Sequence, residues 1–304
     1  MAFAAFSNNT PNKNSGAPVK SGKIVLALLL PGLIYLAMFF FIPLVALIQT
    51  SLEKRVTTPS VHFEAAWNWQ NYVDVIDRYL PQILRSFGYA FVATIIALLI
   101  SYPLAYFIGV KVRHRPVLQR LMVTLVIAPF FISFLLRTIA WKQLLADNSA
   151  TMDFIRQLGL IGPNESFIGT GGAVVFGLVY NFIPFMTLPL YTTLERLDVR
   201  YLEAGSDLYA SPSKVFRKVT LPLSMPGIIS GTLLTFIPIA GDYVNASQDF
   251  LGSSDTSMIG TMVVQDQLVT NNPQSATALS VLLMGTILVL ITVYVRRAGT
   301  EELL

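Results

Sequence analysis

The segment from Glu203 to Pro226 reads EAGSDLYASPSKVFRKVTLPLSMP and lies between two long, nearly uncharged stretches. Asp198 is placed to cap a first helix ending near Tyr209, because its side-chain oxygen can accept a backbone N–H bond. Ser211 and Pro212 predict the start of a second helix. That helix should stop at Leu221-Pro222, where proline interrupts the hydrogen-bond ladder. The segment therefore predicts two short helices joined by a turn.

The composition places this polar segment in a membrane protein. The chain has 304 residues, of which 54% are hydrophobic and only 12% charged. An ordinary soluble domain carries about 25% charged residues. We therefore expect an all-α integral membrane protein.

Six apolar stretches are each about the length of a membrane-spanning helix, roughly 20 residues. They lie near residues 24–48, 85–109, 120–141, 172–194, 223–244 and 276–295. Prolines inside them, such as Pro129 and Pro238, predict kinks. The expected organisation is a tail at 1–23, one six-helix domain at 24–295 with a water-facing loop at about 195–222, and a second tail at 296–304.

The distribution of basic residues predicts the orientation. Of 21 Lys and Arg residues, 14 lie in the two tails, in the loop around Lys111–Arg120 and in the loop containing Glu203. Since positive residues favour the cytoplasmic side, both termini and the Glu203 loop are expected there. The same asymmetry explains the pI near 9.2 without invoking nucleic acid. The segments predicted to lie on the outer side contain ten acidic and seven basic residues.

Enzyme chemistry is not indicated. The chain has no cysteine, which excludes a thiolate metal site or a cysteine nucleophile. His62 and His114 fall on opposite sides of the membrane in this topology and cannot share a site. The glycine run at 169–172 is not followed by lysine, so it lacks the pattern of a nucleotide-binding loop. We expect no metal and no cofactor bound by this chain.

Two ionisable residues inside the apolar stretches stand out, because charge is costly there. Asp242 follows Gly241 at the outer end of the fifth stretch, and Arg137 lies at a similar depth in the third. Asp242 could line a solute path and attract a cation. Alternatively, Asp242 and Arg137 could pair with each other or reach the interface.

The loop resembles a known motif. Glu203-Ala204-Gly205, Phe216, Val219, Leu221-Pro222 and Pro226 are similar to the EAA loop of ABC-importer permeases, which docks on the ATPase. Two positions depart from the motif: Gly205 replaces an alanine, and the usual glycine of the turn is replaced near Tyr209-Ala210. A tyrosine with positive φ would be strained. By resemblance, the residues expected to couple to the ATPase are Glu203, Ala204, Gly205, Asp207, Tyr209, Ser211, Pro212, Phe216, Arg217, Lys218, Leu221 and Pro222.

The resemblance extends over about residues 24–295. The stretches at 129–141 (PFFISFLLRTIAW), 177–189 (GLVYNFIPFMTLP), 191–198 (YTTLERLD) and 232–245 (TLLTFIPIAGDYVN) are similar to those of spermidine/putrescine importer permeases, most of all to the first permease subunit. The residues then expected on the translocation path or its gate are Asp242, Tyr243, Asn245, Arg137, Tyr180 and Asn181.

The resemblance implies the architecture of a type I ABC importer permease in a bacterial inner membrane. It also implies four kinds of neighbour: a second homologous permease, an ATPase homodimer that holds ATP and Mg²⁺, an extracytoplasmic solute-binding protein, and membrane lipid. Nucleic acid is not expected. This chain would form half of the translocation path and receive the motion of the ATPase through Glu203.

The sequence leaves other functions open. A related ABC permease could carry another solute, such as ferric iron, an opine or an aminophosphonate. A secondary transporter would need no ATPase, but it predicts an internal repeat and ionisable groups near the midplane, and neither is clear here. A membrane enzyme is disfavoured by the missing catalytic groups.

Overall fold

The structure, a computed structural model, describes residues 22–56, 62–64, 66–163 and 165–298. The predicted N-terminal tail lies outside these residues except for Gly22 and Lys23, which begin the first helix. The last predicted tail is described only to Ala298, where the final helix ends.

Helices make up nearly all regular structure in the described residues. In chain order they are α1 (Gly22–Ser51), α2 (Gln70–Tyr106), α3 (Pro116–Ile127), α4 (Phe134–Leu144), α5 (Ala150–Gln157), α6 (Gly171–Arg196), α7 (Val199–Asp207), α8 (Pro212–Val215), α9 (Leu221–Leu223), α10 (Met225–Ala240), α11 (Ile259–Leu268) and α12 (Pro273–Ala298). Short π-helical turns span Phe107–Lys111 and Phe216–Thr220, and 3-10 turns span Ala128–Phe131 and Ser254–Thr256.

One short β-hairpin departs from the all-α expectation. Strands β1 (Lys54–Val56) and β2 (His62–Glu64) pair antiparallel, with Lys54 opposite Glu64. Val56 in β1 and Phe63 in β2 are residue types that favour extended backbone. The hairpin follows α1 and leaves the helical character of the spans unchanged.

The chain divides into two units at Gln49–Thr50. The first contains most of α1, whose stretch Leu28–Ser51 is long and apolar enough to cross a membrane. In the second unit, α2 with its π turn, α6 and α12 meet the same criterion. Two bent helix pairs bring the number of spans to six if each pair counts as one. All six predicted stretches fall on these segments.

The third stretch differs most from its prediction. The sequence predicts a continuous span over 120–141, whereas α3 and α4 meet at an angle of 93°. A 3-10 turn containing Pro129 ends α3, and Ile132 is extended. Proline removes a backbone donor and clashes with the preceding turn. The expected kink at Pro129 is therefore a full break.

The fifth stretch is also shorter than predicted. Its helix α10 ends at Ala240, and Asp242–Asn245 form a turn rather than helix. At the other end, α10 is bent by 63° relative to the helical segment Pro212–Leu223.

The helix of the second stretch is longer than predicted. It begins at Gln70 rather than near residue 85, because a charged first part precedes its apolar part.

Small residues allow the central helices α2, α6 and α10 to pack closely. Ala90 and Ala93 of α2 are fully buried against Val174 and Leu178 of α6. Gly227 and Gly231 are one turn apart on α10. A methyl group added at Gly227 would lie 2.9 Å from the Pro189 carbonyl oxygen. The spacing is the small-xxx-small pattern that lets helices approach in membranes.

Replacing Gly231 by alanine should weaken this packing. The added carbon would lie 2.9 Å from the sulfur and 3.0 Å from the carbonyl oxygen of Met186. Because that oxygen belongs to the backbone of α6, relief requires a helix shift. We expect Gly231→Ala to lower stability by about 1–3 kcal/mol, measured as thermal unfolding in detergent.

Gly88→Ala is the matched control, since Gly88 also lies within a helix but nothing lies within 4 Å of its added carbon. Its stability should stay equal or rise by up to about 1 kcal/mol, because alanine favours helix. Equal melting of the two variants would contradict the packing described for Gly231.

Candidate functional site

The loop between α6 and α10 begins with a capped helix. Asp198 Oδ1 accepts a hydrogen bond from the backbone N–H of Arg200 at 3.0 Å, and α7 starts at Val199. The bond satisfies one of the N–H groups that a helix start leaves free. The predicted cap at Asp198 is confirmed.

A left-handed turn at Tyr209 ends this first helix. Tyr209 has φ +53°, and the N–H of Ala210 donates to the carbonyl of Gly205 at 3.3 Å. This is the backbone arrangement in which a glycine usually ends a helix. A residue with a side chain pays roughly 1–2 kcal/mol for this conformation. Tyr209 therefore adopts the positive φ in which a tyrosine is strained.

The second short helix packs against the first. A methyl group added at Gly205 would lie 3.1 Å from Cγ2 of Val215, so glycine permits the contact between α7 and α8. Ser211 precedes α8 and Pro212 is its first residue, as predicted. The side chain of Ser211 makes no capping bond. The backbone carbonyl of Ser211 instead accepts a hydrogen bond from the N–H of Lys214 at 2.8 Å, so that N–H already has a partner.

The second helix continues past the predicted end at Leu221-Pro222. A π turn spans Phe216–Thr220, and the N–H of Leu221 donates to the carbonyl of Phe216. The helical path then continues to Leu223. In a regular α-helix, Pro222 would lack one bond and clash with the previous turn. The wider π turn changes the register just before this proline.

Aromatic contacts fix the base of the loop to α2. The Phe216 ring stands edge-on to Tyr102 and Tyr106, with ring centroids 5.5 and 6.3 Å apart. The hydroxyls of Tyr102 and Ser224 are 2.8 Å apart in a buried hydrogen bond. Leu221 packs against the buried cluster that contains Tyr102. A displacement of the loop base must therefore displace α2.

The rest of the loop is open to solvent. The exposed members of the predicted set are Glu203, Ala204, Asp207, Tyr209, Ser211, Pro212, Arg217, Lys218 and Pro222. Gly205, Phe216 and Leu221 are half-buried. At the tip, Leu208 is 81% exposed and Tyr209 is fully exposed. The loop thus presents an apolar tip flanked by charged side chains.

A chain of buried polar groups connects the turn after α10 with the first half of α6 and the middle of α4. Asp242 accepts hydrogen bonds from Asn245, through the backbone N–H at 2.8 Å and through Nδ2 at 3.1 Å. Asn181 Nδ2 donates to Asn245 Oδ1 and to Thr138 Oγ1, both at 3.2 Å. All four residues are at most 6% exposed. This polar chain joins α4, α6 and the turn after α10.

Arg137 does not pair with Asp242. Within the described part of the chain no ion pair joins them, and Asp242 is already bound by Asn245. The Arg137 guanidinium is 5.8 Å from the Phe134 ring. Its Nε and Nη1 atoms are buried without a hydrogen-bond partner. An unpartnered buried cation is costly, so burial of the Arg137 guanidinium destabilises this region.

The two remaining residues of the predicted path lie beside the polar chain. Tyr180 is half-buried, with its ring centroid 5.1 Å from that of Trp141. Tyr243 is 52% exposed and lines a mostly apolar cavity of about 510 Å³ together with Gly241 and Gly260. The structure therefore brings Asn181, Asn245 and Asp242 together, and leaves Tyr243 outside the hydrogen-bonded chain.

Several polar contacts were not predicted from the sequence. Thr138 completes the polar chain, and its position next to Arg137 was the available signal. Asp266 accepts hydrogen bonds from Tyr79, Thr270 and Ser275, a grouping that sequence spacing does not reveal. Among the described residues, no group of three or more His, Cys, Asp and Glu side chains could hold a metal ion.

The sequence matches known transport proteins. Residues 101–298 match the family model described as binding-protein-dependent transport system inner membrane component. The chain is 34% identical to the spermidine/putrescine transport system permease protein PotB of Escherichia coli (strain K12) over 230 residues, covering 75% of this chain and 81% of that protein. It is 33% identical to PotB of Haemophilus influenzae over 279 residues, covering 91% and 94%.

Solved structures share the fold. One is a bacterial ABC transporter involved in the import of the acidic polysaccharide alginate, with a TM-score of 0.67 and 15% identity over 92% of this chain and 96% of that chain. Another is the MetNI methionine ABC transporter in an inward facing conformation, with a TM-score of 0.55 and 19% identity over 74% and 94%. The chain belongs to the family of binding-protein-dependent transport system inner membrane components, and it is a multi-pass permease subunit of an ABC importer with the type I fold.

Proposed function

We propose that this permease imports polyamines, the class that includes spermidine and putrescine. The support is the similarity to PotB proteins over three quarters or more of the chain. The fold alone does not select the solute, because importers of alginate and of methionine share it. A permease for another solute is therefore the second candidate.

In the proposed complex, this chain pairs with a second permease and forms half of the translocation path. A dimeric ATPase holds ATP and Mg²⁺ on the cytoplasmic side, and a solute-binding protein delivers the polyamine from outside. Both termini and the loop containing Glu203 face the cytoplasm, in line with the excess of basic residues there. The present chain supplies no nucleotide site in this scheme.

The aromatic contact at the base of an exposed loop supports a coupling role. Glu203 and the tip residues Leu208 and Tyr209 are free to meet a partner, whereas Phe216 is packed on Tyr102 and Tyr106. A partner that moves the tip therefore moves α2. Binding of ATP favours the closed ATPase dimer, and the loop transfers this preference to the helices as a shift between inward- and outward-facing states.

In this account Glu203 forms the charged contact with the ATPase, and Arg217 and Lys218 make contacts at its edge. Tyr209 supplies the apolar contact at the tip. Strained backbone that persists at an exposed position is often found at functional sites, which supports a role for the Tyr209 side chain beyond folding.

We also propose that the buried polar chain shapes the outer gate. Asp242 holds Asn245 in a turn, and Asn245 connects through Asn181 to Thr138 on α4. Since these bonds join three segments, they fix α4, the first half of α6 and the end of α10 relative to each other. The buried Arg137 beside Thr138 opposes entry of a second cation in this state, because like charges repel strongly in a low-dielectric region.

Uptake by the reconstituted complex tests the function. Vesicles containing both permeases, the ATPase and the binding protein should take up labelled spermidine and putrescine only with ATP. Glu203→Ala should reduce uptake about tenfold or more, as expected for loss of one partner of a charged contact. Asp153→Ala, an exposed acid on α5, should retain wild-type uptake. ATP-driven uptake of a different solute, with no polyamine transported, would contradict the proposed substrate.

Variants of Tyr209 distinguish the effect of this residue on stability from its effect on coupling to the ATPase. Tyr209→Gly removes the backbone strain, because glycine adopts positive φ freely, and should raise stability by up to about 1 kcal/mol. It also removes the apolar contact at the tip, so uptake per ATP hydrolysed should fall. Tyr209→Phe keeps the ring and should couple normally. Full coupling in Tyr209→Gly would show that the side chain serves no docking role.

Asp242 variants distinguish a structural role from direct handling of the cation. Asp242→Asn keeps an oxygen for the N–H of Asn245, so we expect most of the uptake to remain. Asp242→Ala removes both bonds and should lower stability by about 1.5–3 kcal/mol, measured by thermal unfolding. If Asp242→Asn loses uptake while its thermal unfolding is unchanged, the negative charge of Asp242 takes part in transport instead.

A further inference from the structure

The start of α3 carries a dense positive charge. The segment Lys111–Arg120 reads KVRHRPVLQR, and the chain contains no Asp or Glu between Asp77 and Asp147. The positively charged side chains of the segment are Lys111, Arg113, Arg115 and Arg120. Arg113 is half-buried and the other three are exposed. Among the described residues none of the four forms an ion pair. Arg113 donates to the Leu197 carbonyl at 3.0 Å, which leaves its charge in place.

The neighbouring end of α6 does not cancel this charge. Gln119 of α3 donates a hydrogen bond to Glu195 at 3.2 Å, so this end of α6 lies beside the start of α3. Its two acids, Glu195 and Asp198, are matched in number by two bases, Arg196 and Arg200. The four bases of the segment therefore remain in excess.

An apolar stripe begins at the same place. Val117, Leu121 and Leu125 are spaced four residues apart, which puts them on one face of α3. Their side chains are 80%, 54% and 62% exposed, and α3 contains no buried residue. The helical segment Pro116–Phe131 forms, together with α4, one of the candidate membrane spans. The stripe is therefore apolar enough to lie against lipid chains.

An anionic phospholipid matches both features. Its phosphate is attracted by the basic side chains at the start of the helix, and its acyl chains can follow the stripe into the hydrocarbon. Each basic residue close to a membrane surface raises the affinity for anionic lipid by about fivefold. An acidic surface of a soluble protein would match the charge but not the stripe, because the stripe continues along a membrane-spanning segment.

We propose that the start of α3 is a binding site for an anionic phospholipid. Arg115 and Arg120 attract its phosphate, and Val117 and Leu121 contact an acyl chain. The lipid binds at the end of α3 that Gln119 joins to α6, just before the loop containing Glu203. Its place in the cytoplasmic leaflet rests on the proposed orientation, whereas the preference for an anionic headgroup depends on neither the orientation nor the transported solute.

The test is native mass spectrometry of the detergent-purified complex of both permeases and the ATPase, titrated with phosphatidylglycerol or with phosphatidylcholine of identical acyl chains. We expect tighter binding of phosphatidylglycerol, and a smaller difference at high salt because ions screen exposed charges. Glycerol 1-phosphate, which has no acyl chain, should not displace the lipid. The double variant Arg115→Gln/Arg120→Gln should reduce the preference for phosphatidylglycerol roughly fivefold or more.

Two further variants serve as controls. Arg115→Lys/Arg120→Lys keeps both charges and should keep the preference. Arg200→Gln removes an exposed base at the same end of the bundle, but one that lies on α7 and not beside the stripe, so its preference should equal that of wild type. Thermal unfolding should be the same for all variants, because the replaced side chains are exposed.

Equal affinity of the wild-type complex for the two lipids, or an unchanged preference in Arg115→Gln/Arg120→Gln, would overturn the site. If this double variant keeps its lipid preference but loses the ATPase during purification, the surface docks the ATPase and the lipid proposal is wrong. If the wild-type preference depends on these two bases while the complex imports no polyamine, the proposed function fails and the lipid site stands.

Discussion

The edge-on contact of Phe216 with Tyr102 and Tyr106 connects a water-facing loop to the packed helices of the permease. Without it, the loop would be a flexible link, and a force on its tip would be lost in local motion. The hydrogen bond between Tyr102 and Ser224 fixes the same junction from the polar side. Gly227 and Gly231 then carry the displacement onward, since they place α10 directly against the backbone of α6. Tight packing of this kind transmits motion because interiors deform little.

Farther from the loop along the same helices, buried polar bonds add to aromatic packing, in which Trp141 contacts Phe176 and Tyr180. Hydrocarbon offers no water to exposed polar groups, so a buried amide must find a partner within the protein. Asn181 Nδ2 donates to Asn245 and Thr138, and Asn245 donates to Asp242, whereas the buried Oδ1 of Asn181 has no partner among the described residues. In a low-dielectric interior, breaking such a bond without a replacement partner is costly. The polar chain therefore holds these segments together in the state that the structure describes.

Sequence patterns predicted the elements whose cause is local. Apolar length gave the spans, Asp198 and Pro212 marked helix starts, and the resemblance of the Glu203 loop led to the family. The features that were not predicted depend on how prolines are accommodated or on groups far apart in the chain. The break after Pro129 and the π turn before Pro222 required knowing how proline is accommodated, which apolar periodicity does not record. The site residues could be chosen by type, but only the fold shows that Asp242 binds Asn245 and not Arg137.

The central claim is that the exposed tip of the Glu203 loop is the surface on which the ATPase docks. The chain contains no cysteine, so Leu208→Cys would introduce its single thiol at this tip. The decisive measurement is the rate at which a membrane-impermeant maleimide labels that thiol in inverted membrane vesicles, with and without the ATPase. We predict rapid labelling that the ATPase slows several-fold, while Asp255→Cys is labelled only from the other side of the membrane. Equal labelling of Leu208→Cys with and without the ATPase would contradict the account.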